Sequence, residues 1–356
     1  MLLSFLRATI SALDWTNVDL SITGEQQQLV DSFAAIYARE STSERVRASE
    51  PLGYDEQLWK ALLDTGAVEM AVDEASGGWG ATVLELALIA EQYGRAVASA
   101  PVIEAQVTAR LLAESGGPGA GLLAEALSGA KLVTFAPRAV TGSVLSLVPA
   151  GAVADAVVAL VGEKLVALPV ADNRTTVENL GSLPLADITV GDDATVLADG
   201  ADARRLYSIA LDVWLTLTSL ALVGVAKRAV ELGVDYAKQR HAFGTPIGSF
   251  QAISHPLADN ATAADGARLL GLKAACAFTD EPDRVSELAA MAFAFAYEAA
   301  RDATYRSLHV HGGYGFGMEG DIQLYYRRAR AWALVYGEPA VALDRAATAR
   351  YGTVAS

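Results

Sequence analysis

The chain has 356 residues, of which 52% are hydrophobic and 19% charged, so it can bury a full core and does not have the composition of a disordered protein. Its formal net charge of −15 argues against a nucleic-acid partner and against an anionic-membrane partner, because both bind a basic surface. The single cysteine, Cys276, excludes an internal disulfide framework and a cysteine-rich metal site.

The N-terminal segment is apolar but does not have the features of a secretory signal. Residues 1–7 carry one cation, no basic region precedes the apolar run, and no small-residue cleavage site comes before Trp15. In the sequence, no apolar run is expected to reach the length of a membrane span. We therefore expect a cytoplasmic protein that does not insert into a membrane.

Residues 1–130 are predicted to form a helical N-terminal domain. Asp55 can cap a helix whose apolar residues recur at helical spacing, and Gly66 can end it. A glycine-rich loop at 76–80 then precedes a second predicted helix from Thr82 to Gly94.

Residues 131–200 are predicted to form a small β-domain, because short runs of β-favouring residues alternate there with turn residues. A helical continuation rich in alanine and valine is the alternative, and the turn spacing favours the strands. The predicted strands are residues 132–135, 144–148, 156–161, 165–168 and 188–190.

Residues 201–356 are predicted to be a C-terminal helical bundle. A long helical face runs into Tyr236 and Arg240, and another long helix covers 286–308. This order of helices, strands and helices is not a Rossmann arrangement, because helices do not alternate with strands.

The segment 240–259 contains the first candidate site. Arg240 leads it, a Phe-Gly turn follows at Phe243, and Gln251 lies eleven residues after the arginine. A guanidinium suits a diphosphate, a phenyl ring can press on a flat ring, and an amide both donates and accepts hydrogen bonds. The alternative is structural, with Arg240 capping its helix and Phe243 in the core.

The segment 309–316 contains the second candidate site. His309 begins it, and the adjacent Gly312 and Gly313 let backbone amides approach a ligand closely. A Rossmann phosphate loop is a poor interpretation because a helix, not a strand, precedes these glycines. A metal site at His309 and His311 is also weak, because no cysteine or convincing carboxylate accompanies them.

The two segments resemble the R-x-x-F-G-x-x-I-x-x-F-Q and Q-x-x-G-G-x-G-F motifs of the flavin-dependent acyl-CoA dehydrogenases. The resemblance extends over nearly the whole chain from about Trp15, with residues 1–14 as an extension. It implies the acyl-CoA dehydrogenase fold, which is mainly α with a β middle domain: an N-terminal helical domain, a middle β-domain and a C-terminal four-helix bundle.

The resemblance also implies FAD as the cofactor. Arg240 and Gln251 would bind the ADP half of an FAD seated mainly on a neighbouring subunit, with Phe243 in the same motif. Gly312 and Gly313 would contact its adenosine side, and His309 stands where the family usually has glutamine. These residues are the predicted cofactor-binding set.

The resemblance implies a glutamate base at one of two positions, and neither holds a carboxylate here. In the run from Arg327 to Glu338, which matches the family's R-D-A-x-x-x-x-I and Y-E-G sequences, Tyr336 takes the base position and Glu338 comes two residues late. The other position, 26 residues before Arg240, is Trp214, and the nearest carboxylate is Asp212. No catalytic residue is therefore predicted in this chain.

The flavin-ring motifs of the middle domain are also missing. The region matching the family's T-E-x-x-x-G-S-D turn is 134–143, and it has no acidic residue. The W-I-T strand has no counterpart, because no tryptophan occurs between Trp79 and Trp214.

This pattern resembles the non-catalytic chain of heterotetrameric (α2β2) acyl-CoA dehydrogenases of actinobacteria that act on CoA thioesters of steroid side chains. It implies a homologous catalytic subunit as partner, an acyl-CoA substrate and an electron-transfer flavoprotein as electron acceptor. Two alternatives stay open: a self-sufficient homotetramer with Glu338 as base, and a structural paralogue without flavin.

Overall fold

The computed structural model describes residues 19–170 and 173–352, so the predicted extension at 1–14 lies outside the described residues. Helices form the N-terminal part of the chain. Their bounds are α1 Gly24–Glu40, α2 Ser43–Ser49, α3 Glu56–Asp64, α4 Val83–Arg95, α5 Val102–Ser115 and α6 Ala120–Leu127.

Side-chain caps fix where these helices begin. The predicted cap at Asp55 is confirmed, because its carboxylate accepts a hydrogen bond from the backbone N–H of Leu58 at 2.9 Å. Helix α4 begins with a capping box in which Thr82 and Glu85 satisfy each other's backbone amides. Gly66 follows α3 with a φ of 70°, a conformation that glycine adopts without strain.

Two β-sheets follow the N-terminal helices. The first has the order β1–β3–β4–β7 with β1 and β3 parallel, and the second is antiparallel with the order β2–β6–β5. The strand bounds are β1 Val133–Phe135, β2 Val144–Val148, β3 Ala156–Val161, β4 Lys164–Pro169, β5 Arg174–Thr176, β6 Ala186–Thr189 and β7 Thr195–Asp199.

The five predicted strands are therefore confirmed within one to two residues at their ends, and the helical alternative for this region is wrong. Strands β5 and β7 were not predicted. Strand β5 is polar and β7 has only three apolar residues in a row, so neither has a run of the length that marks a strand in the sequence.

Strand β3 is buried on both faces, which explains its continuous run of apolar residues. Val157 packs into a core between the two sheets, whereas Val158 faces the helices. On that helical side, the ring of Phe135 lies 5.4 Å from the ring of Tyr207.

Residues 200–351 are mostly helical and include one short hairpin. Helix α7, Gly200–Gln239, precedes the hairpin of β8, His241–Ala242, and β9, Thr245–Pro246. The helices that follow are α8 Gln251–Asp280, α9 Val285–His311, α10 Gly313–Phe316, α11 Ile322–Leu334 and α12 Pro339–Tyr351. The expected fold class, mainly α with β strands in the middle, is confirmed.

Helix α7 is the central helix of the fold and packs against α4, α5, α8, α9 and α11. The expectation that no apolar run reaches the length of a membrane span is wrong for this helix, which is 40 residues long and has an apolar window with a mean hydropathy of 1.9. Within the fold 94% of that window is buried. Its apolar surface is therefore used in the core.

Candidate functional site

Arg240 ends helix α7 and starts a tight hairpin. Its backbone N–H donates to the carbonyl of Tyr236 at 2.8 Å, and its own carbonyl accepts from Ile247 at 2.8 Å, where the hairpin returns. Phe243 and Gly244 form the turn with φ values of 53° and 82°. Two consecutive positive φ values are typical of a tight hairpin turn, and only the glycine adopts one without strain.

Phe243 carries its ring on the outside of this turn. Its side chain is 97% exposed, and its nearest aromatic neighbour, Phe250, meets it edge-on at 6.2 Å between ring centroids. The structural alternative of a core Phe243 is therefore wrong. Phe243 therefore combines an exposed ring with a backbone conformation that is costly for a non-glycine residue.

The second motif begins where helix α9 ends at His311. Gly312 has a φ of 59° and a ψ of −139°, a combination that favours glycine. A Cβ atom added at Gly312 or Gly313 would meet nothing within 4 Å. Packing within the chain does not require glycine at Gly313, and the backbone at both positions is open to a ligand.

The fold brings these two motifs together. Arg240 and the Gly312–Gly313 pair line one surface cleft, although 72 residues separate them in the sequence. The ring of Tyr236 stacks on His311 at 4.4 Å, and His311 hydrogen-bonds the carbonyl of Ser307 at 2.7 Å, which holds this side of the cleft in place.

The other predicted cofactor residues lie outside the lining of this cleft. Phe243 is at the hairpin tip, Gln251 begins helix α8, and His309 lies on the exposed side of α9 with its ring 6.4 Å from that of Tyr305. All three are exposed. All six residues are exposed, and three of them, Arg240, Gly312 and Gly313, line one concave site in the single chain.

The two positions where the family carries its base are adjacent in space and filled by aromatic rings. Trp214 on α7 and Tyr336 after α11 lie 6.3 Å apart, and Phe293 packs 5.9 Å from the first and 5.6 Å from the second. Burial raises the pKa of Tyr336 above its ordinary value, so the phenol stays protonated and neutral at physiological pH.

Asp212 and Glu338 are the two carboxylates that could replace the missing glutamate base, and neither is both buried and without an ionic or hydrogen-bond partner. Asp212 accepts hydrogen bonds from Arg345 at 2.6 Å and from Ser286 at 2.5 Å, and burial raises its pKa despite the arginine. Glu338 is exposed and stands at the N-terminus of α12, where its side chain makes no capping hydrogen bond.

Two charged residues that the sequence interpretation did not select line an inner pocket next to Trp214. The carboxylate of Glu104 accepts a hydrogen bond from Nε1 of Trp214 at 3.2 Å, and burial raises the pKa of Glu104. Arg328 is 2% exposed and stands at the aspartate of the family's R-D-A run. An arginine in place of the motif's aspartate is visible in the sequence and could have identified Arg328 as a candidate site residue. No sequence pattern pointed to Glu104.

The chain offers surface groups that suit the ADP half of FAD. Arg240 provides a cation for a diphosphate, and the backbone at Gly312 and Gly313 is open to a ligand, although the N–H of Gly312 itself donates to the carbonyl of His309 at 3.0 Å. In the middle region, Thr134 is fully buried and its hydroxyl donates to the carbonyl of Pro149 at 2.5 Å, so it cannot face a flavin ring.

Comparison with known families and proteins gives concordant results. Residues 23–119 match the family described as acyl-CoA dehydrogenase, N-terminal domain, and residues 212–350 match acyl-CoA dehydrogenase, C-terminal domain. The chain is 32% identical to acyl-CoA dehydrogenase IpdE2 of Mycolicibacterium smegmatis over 336 residues, covering 90% of this chain and 97% of the relative. Its counterpart in Mycobacterium tuberculosis is 30% identical, covering 90% and 96%.

Solved structures agree with the sequence relatives. The fold superposes with a TM-score of 0.85 on a chain of the ChsE4-ChsE5 complex from Mycobacterium tuberculosis, at 26% identity, covering 95% of this chain and all of the other. A chain described as a Tcur3481-Tcur3483 steroid ACAD variant gives a TM-score of 0.82 at 26% identity, covering 92% and 97%.

Proposed function

The chain belongs to the acyl-CoA dehydrogenase family of FAD-dependent oxidoreductases, and we propose that within it this protein is the subunit that completes the cofactor site of a homologous catalytic subunit. The observation that carries the proposal is the contrast between its two halves. A cation suited to a diphosphate and an open glycine backbone are retained on the surface, whereas both base positions hold packed aromatic rings.

The proposed cofactor contacts are Arg240 at the diphosphate, Gly312 and Gly313 at the adenosine side, and His309, Phe243 and Gln251 on the surrounding surface. Their exposure in the single chain supports a ligand that is seated mainly on another subunit. When bound, FAD accepts the hydride that leaves the β-carbon of an acyl-CoA thioester. This chain would hold and orient the ADP half, and the partner subunit would remove the α-proton.

The partner and the substrate belong to the same proposal. Two structural neighbours are described as complexes of two different chains, which supports an α2β2 assembly of homologous subunits. One of them is described as a steroid ACAD, which supports a steroid side-chain CoA thioester as substrate and a role in steroid degradation. An electron-transfer flavoprotein is the proposed electron acceptor, and the cytoplasm is the proposed location.

Reconstitution tests this proposal. The tagged chain is produced alone and together with a homologue that carries the family's glutamate, and acyl-CoA dehydrogenation is measured with an artificial electron acceptor. We expect turnover from the complex and none from the chain alone. Glu338→Gln and Glu104→Gln in this chain should leave turnover within about twofold, because removal of a general base usually lowers rate by about 10²–10⁴-fold.

A hundredfold loss with either substitution, at unchanged flavin content and assembly, would contradict the proposal. It would make this chain a source of the base and restore the self-sufficient enzyme as the better interpretation. Asp302→Asn, an exposed substitution on α9, serves as the matched control for the loss of one carboxylate.

A further inference from the structure

An inner pocket lies where the N-terminal helices, the middle sheets and the C-terminal bundle meet. Ser99 and Glu104 border it from the N-terminal part, Pro149 and Leu183 from the middle part, and Arg328 and Trp214 from the C-terminal part. The volume open to the centre of a water molecule is about 50 Å³. Each water needs about 10–15 Å³ by this measure, so the pocket has room for about three to five small atoms, which is less than an extended acyl chain needs.

Arg328 is the unusual residue of this pocket. It is 2% exposed, and its one hydrogen bond to the described residues runs from Nη2 to the hydroxyl of Ser99 at 3.2 Å. Within residues 19–170 and 173–352 it takes part in no ion pair, whereas its sequence neighbour Arg327 is paired with Glu50. Burial lowers the pKa of Arg328 to about 10, so the group remains charged at neutral pH.

A buried cation without a carboxylate partner is unfavourable, and proteins rarely keep one unless a ligand pairs with it. Glu104 does not supply that partner: among the described residues its carboxylate accepts a hydrogen bond from Trp214, and the guanidinium of Arg328 donates to Ser99. Arg328 therefore lines this pocket with a charge that is unpaired in the described part of the chain, and most of the other lining residues are apolar.

We propose that this pocket binds a small monocarboxylate of one to three carbons, held by the guanidinium of Arg328 and the hydroxyl of Ser99. A planar guanidinium matches the two oxygens of a carboxylate with two parallel hydrogen bonds. The apolar walls at Pro101 and Ile103 suit a short alkyl group, and the pocket volume limits its length. The inference is independent of the proposed subunit function, since every residue involved belongs to this chain.

The test uses the full chain and sodium acetate as the probe. Acetate replaces chloride at constant ionic strength while the melting temperature and the heat of binding are recorded. We expect a saturable rise in melting temperature and a single class of sites, with formate and propionate acting similarly and hexanoate having no effect. An equal response to every salt, or no saturable response up to about 100 mM, would overturn the proposal.

Substitutions assign the response to the pocket. Arg328→Met should abolish acetate binding, and Arg330→Met, an exposed arginine on the same helix, should leave it unchanged. Ser99→Ala keeps the charge and should weaken binding several-fold, so it provides the test if Arg328→Met fails to fold. Acetate binding that survives both Arg328→Met and Ser99→Ala would also overturn the proposal.

Discussion

At the scale of single residues, Phe243 and Arg240 differ from ordinary surface residues. Phe243 combines a positive φ with an almost fully exposed ring, and a non-glycine residue in that conformation costs about 1–3 kcal/mol. No contact of its ring within the described chain offsets this cost beyond the edge of Phe250. In our proposal, contacts of the hairpin with another molecule offset this conformational cost.

The first prediction concerns Arg240. Arg240→Ala should abolish flavin retention in the assembled complex, because one lost charge-assisted contact to a diphosphate costs about 1.5–3 kcal/mol, or about 10–150-fold in affinity. Assembly and melting temperature should be unchanged, since Arg240 is exposed in the single chain. Flavin absorbance per complex after gel filtration measures the effect.

Arg205→Ala is the matched control for that measurement. It removes an exposed arginine from the other end of the same helix. The side chain of Arg205 is 58% exposed, and its one ion pair among the described residues is a long, exposed contact of 3.8 Å with the carboxylate of Asp202. Full flavin occupancy after Arg240→Ala would remove this residue from the cofactor site, and equal losses from both variants would indicate a nonspecific effect of charge.

At the scale of elements, the close crossing of α4 and α7 holds the N-terminal helices against the bundle. A Cβ atom on Gly94 would lie 1.8 Å from the backbone oxygen of Ala221, and one on Gly224 would lie 2.0 Å from that of Glu91. Next to this crossing, Glu91 on α4 accepts a hydrogen bond from Arg268 on α8 at 2.7 Å and lies 3.5 Å from Nζ of Lys227 on α7. Two glycines, one on each helix, therefore set the distance between the helices.

The second prediction follows from that contact. Gly224→Ala should destabilise the chain by about 1–3 kcal/mol or more, because the added methyl group must push two backbones apart. Gly121→Ala on α6 is the control, since its Cβ would meet nothing within 4 Å, and it should stabilise the helix by about 0.5–1 kcal/mol. Urea unfolding of both variants measures the two changes in the free energy of unfolding, which should have opposite signs. An unchanged free energy of unfolding for Gly224→Ala would contradict so close a crossing of the two helices.

Local signals in the sequence were sufficient for many of these elements. The cap at Asp55, the strand at 156–161 and the long helix into Arg240 follow from capping residues, β-favouring runs and helical periodicity. Strand β5 could not be predicted, because it is three residues long, polar and held mainly by its pairing with β6.

The site divides in the same way. The motifs around Arg240 and Gly312 were recognisable because their residues are close in sequence, although their shared cleft depends on the packing of α7 against α9. The pairing of Ser99 with Arg328 spans 229 residues, and the hydrogen bond of Trp214 with Glu104 spans 110. No local sequence pattern predicts contacts between residues so far apart in the chain, so these contacts could be identified only in the folded structure.

At the scale of the whole molecule, the chain has an acyl-CoA dehydrogenase fold in which aromatic rings fill the two positions that the resemblance gives for a base. Trp214, Phe293 and Tyr336 pack together with ring centroids 5.6–6.3 Å apart. The surface that meets the ADP half of FAD in our proposal stays open. A dedicated accessory subunit explains both features, whereas a relic without flavin leaves the open cleft unexplained.

The measurement that tests this account most directly is the flavin content of the chain with and without its partner. The chain is purified alone and in complex with a homologous subunit, and absorbance at the flavin band is compared with protein concentration. We predict substoichiometric flavin in the isolated chain and one tightly bound flavin for each pair of unlike subunits in the complex. Stoichiometric flavin in the isolated chain would contradict the account, because the chain would then hold the cofactor without a partner.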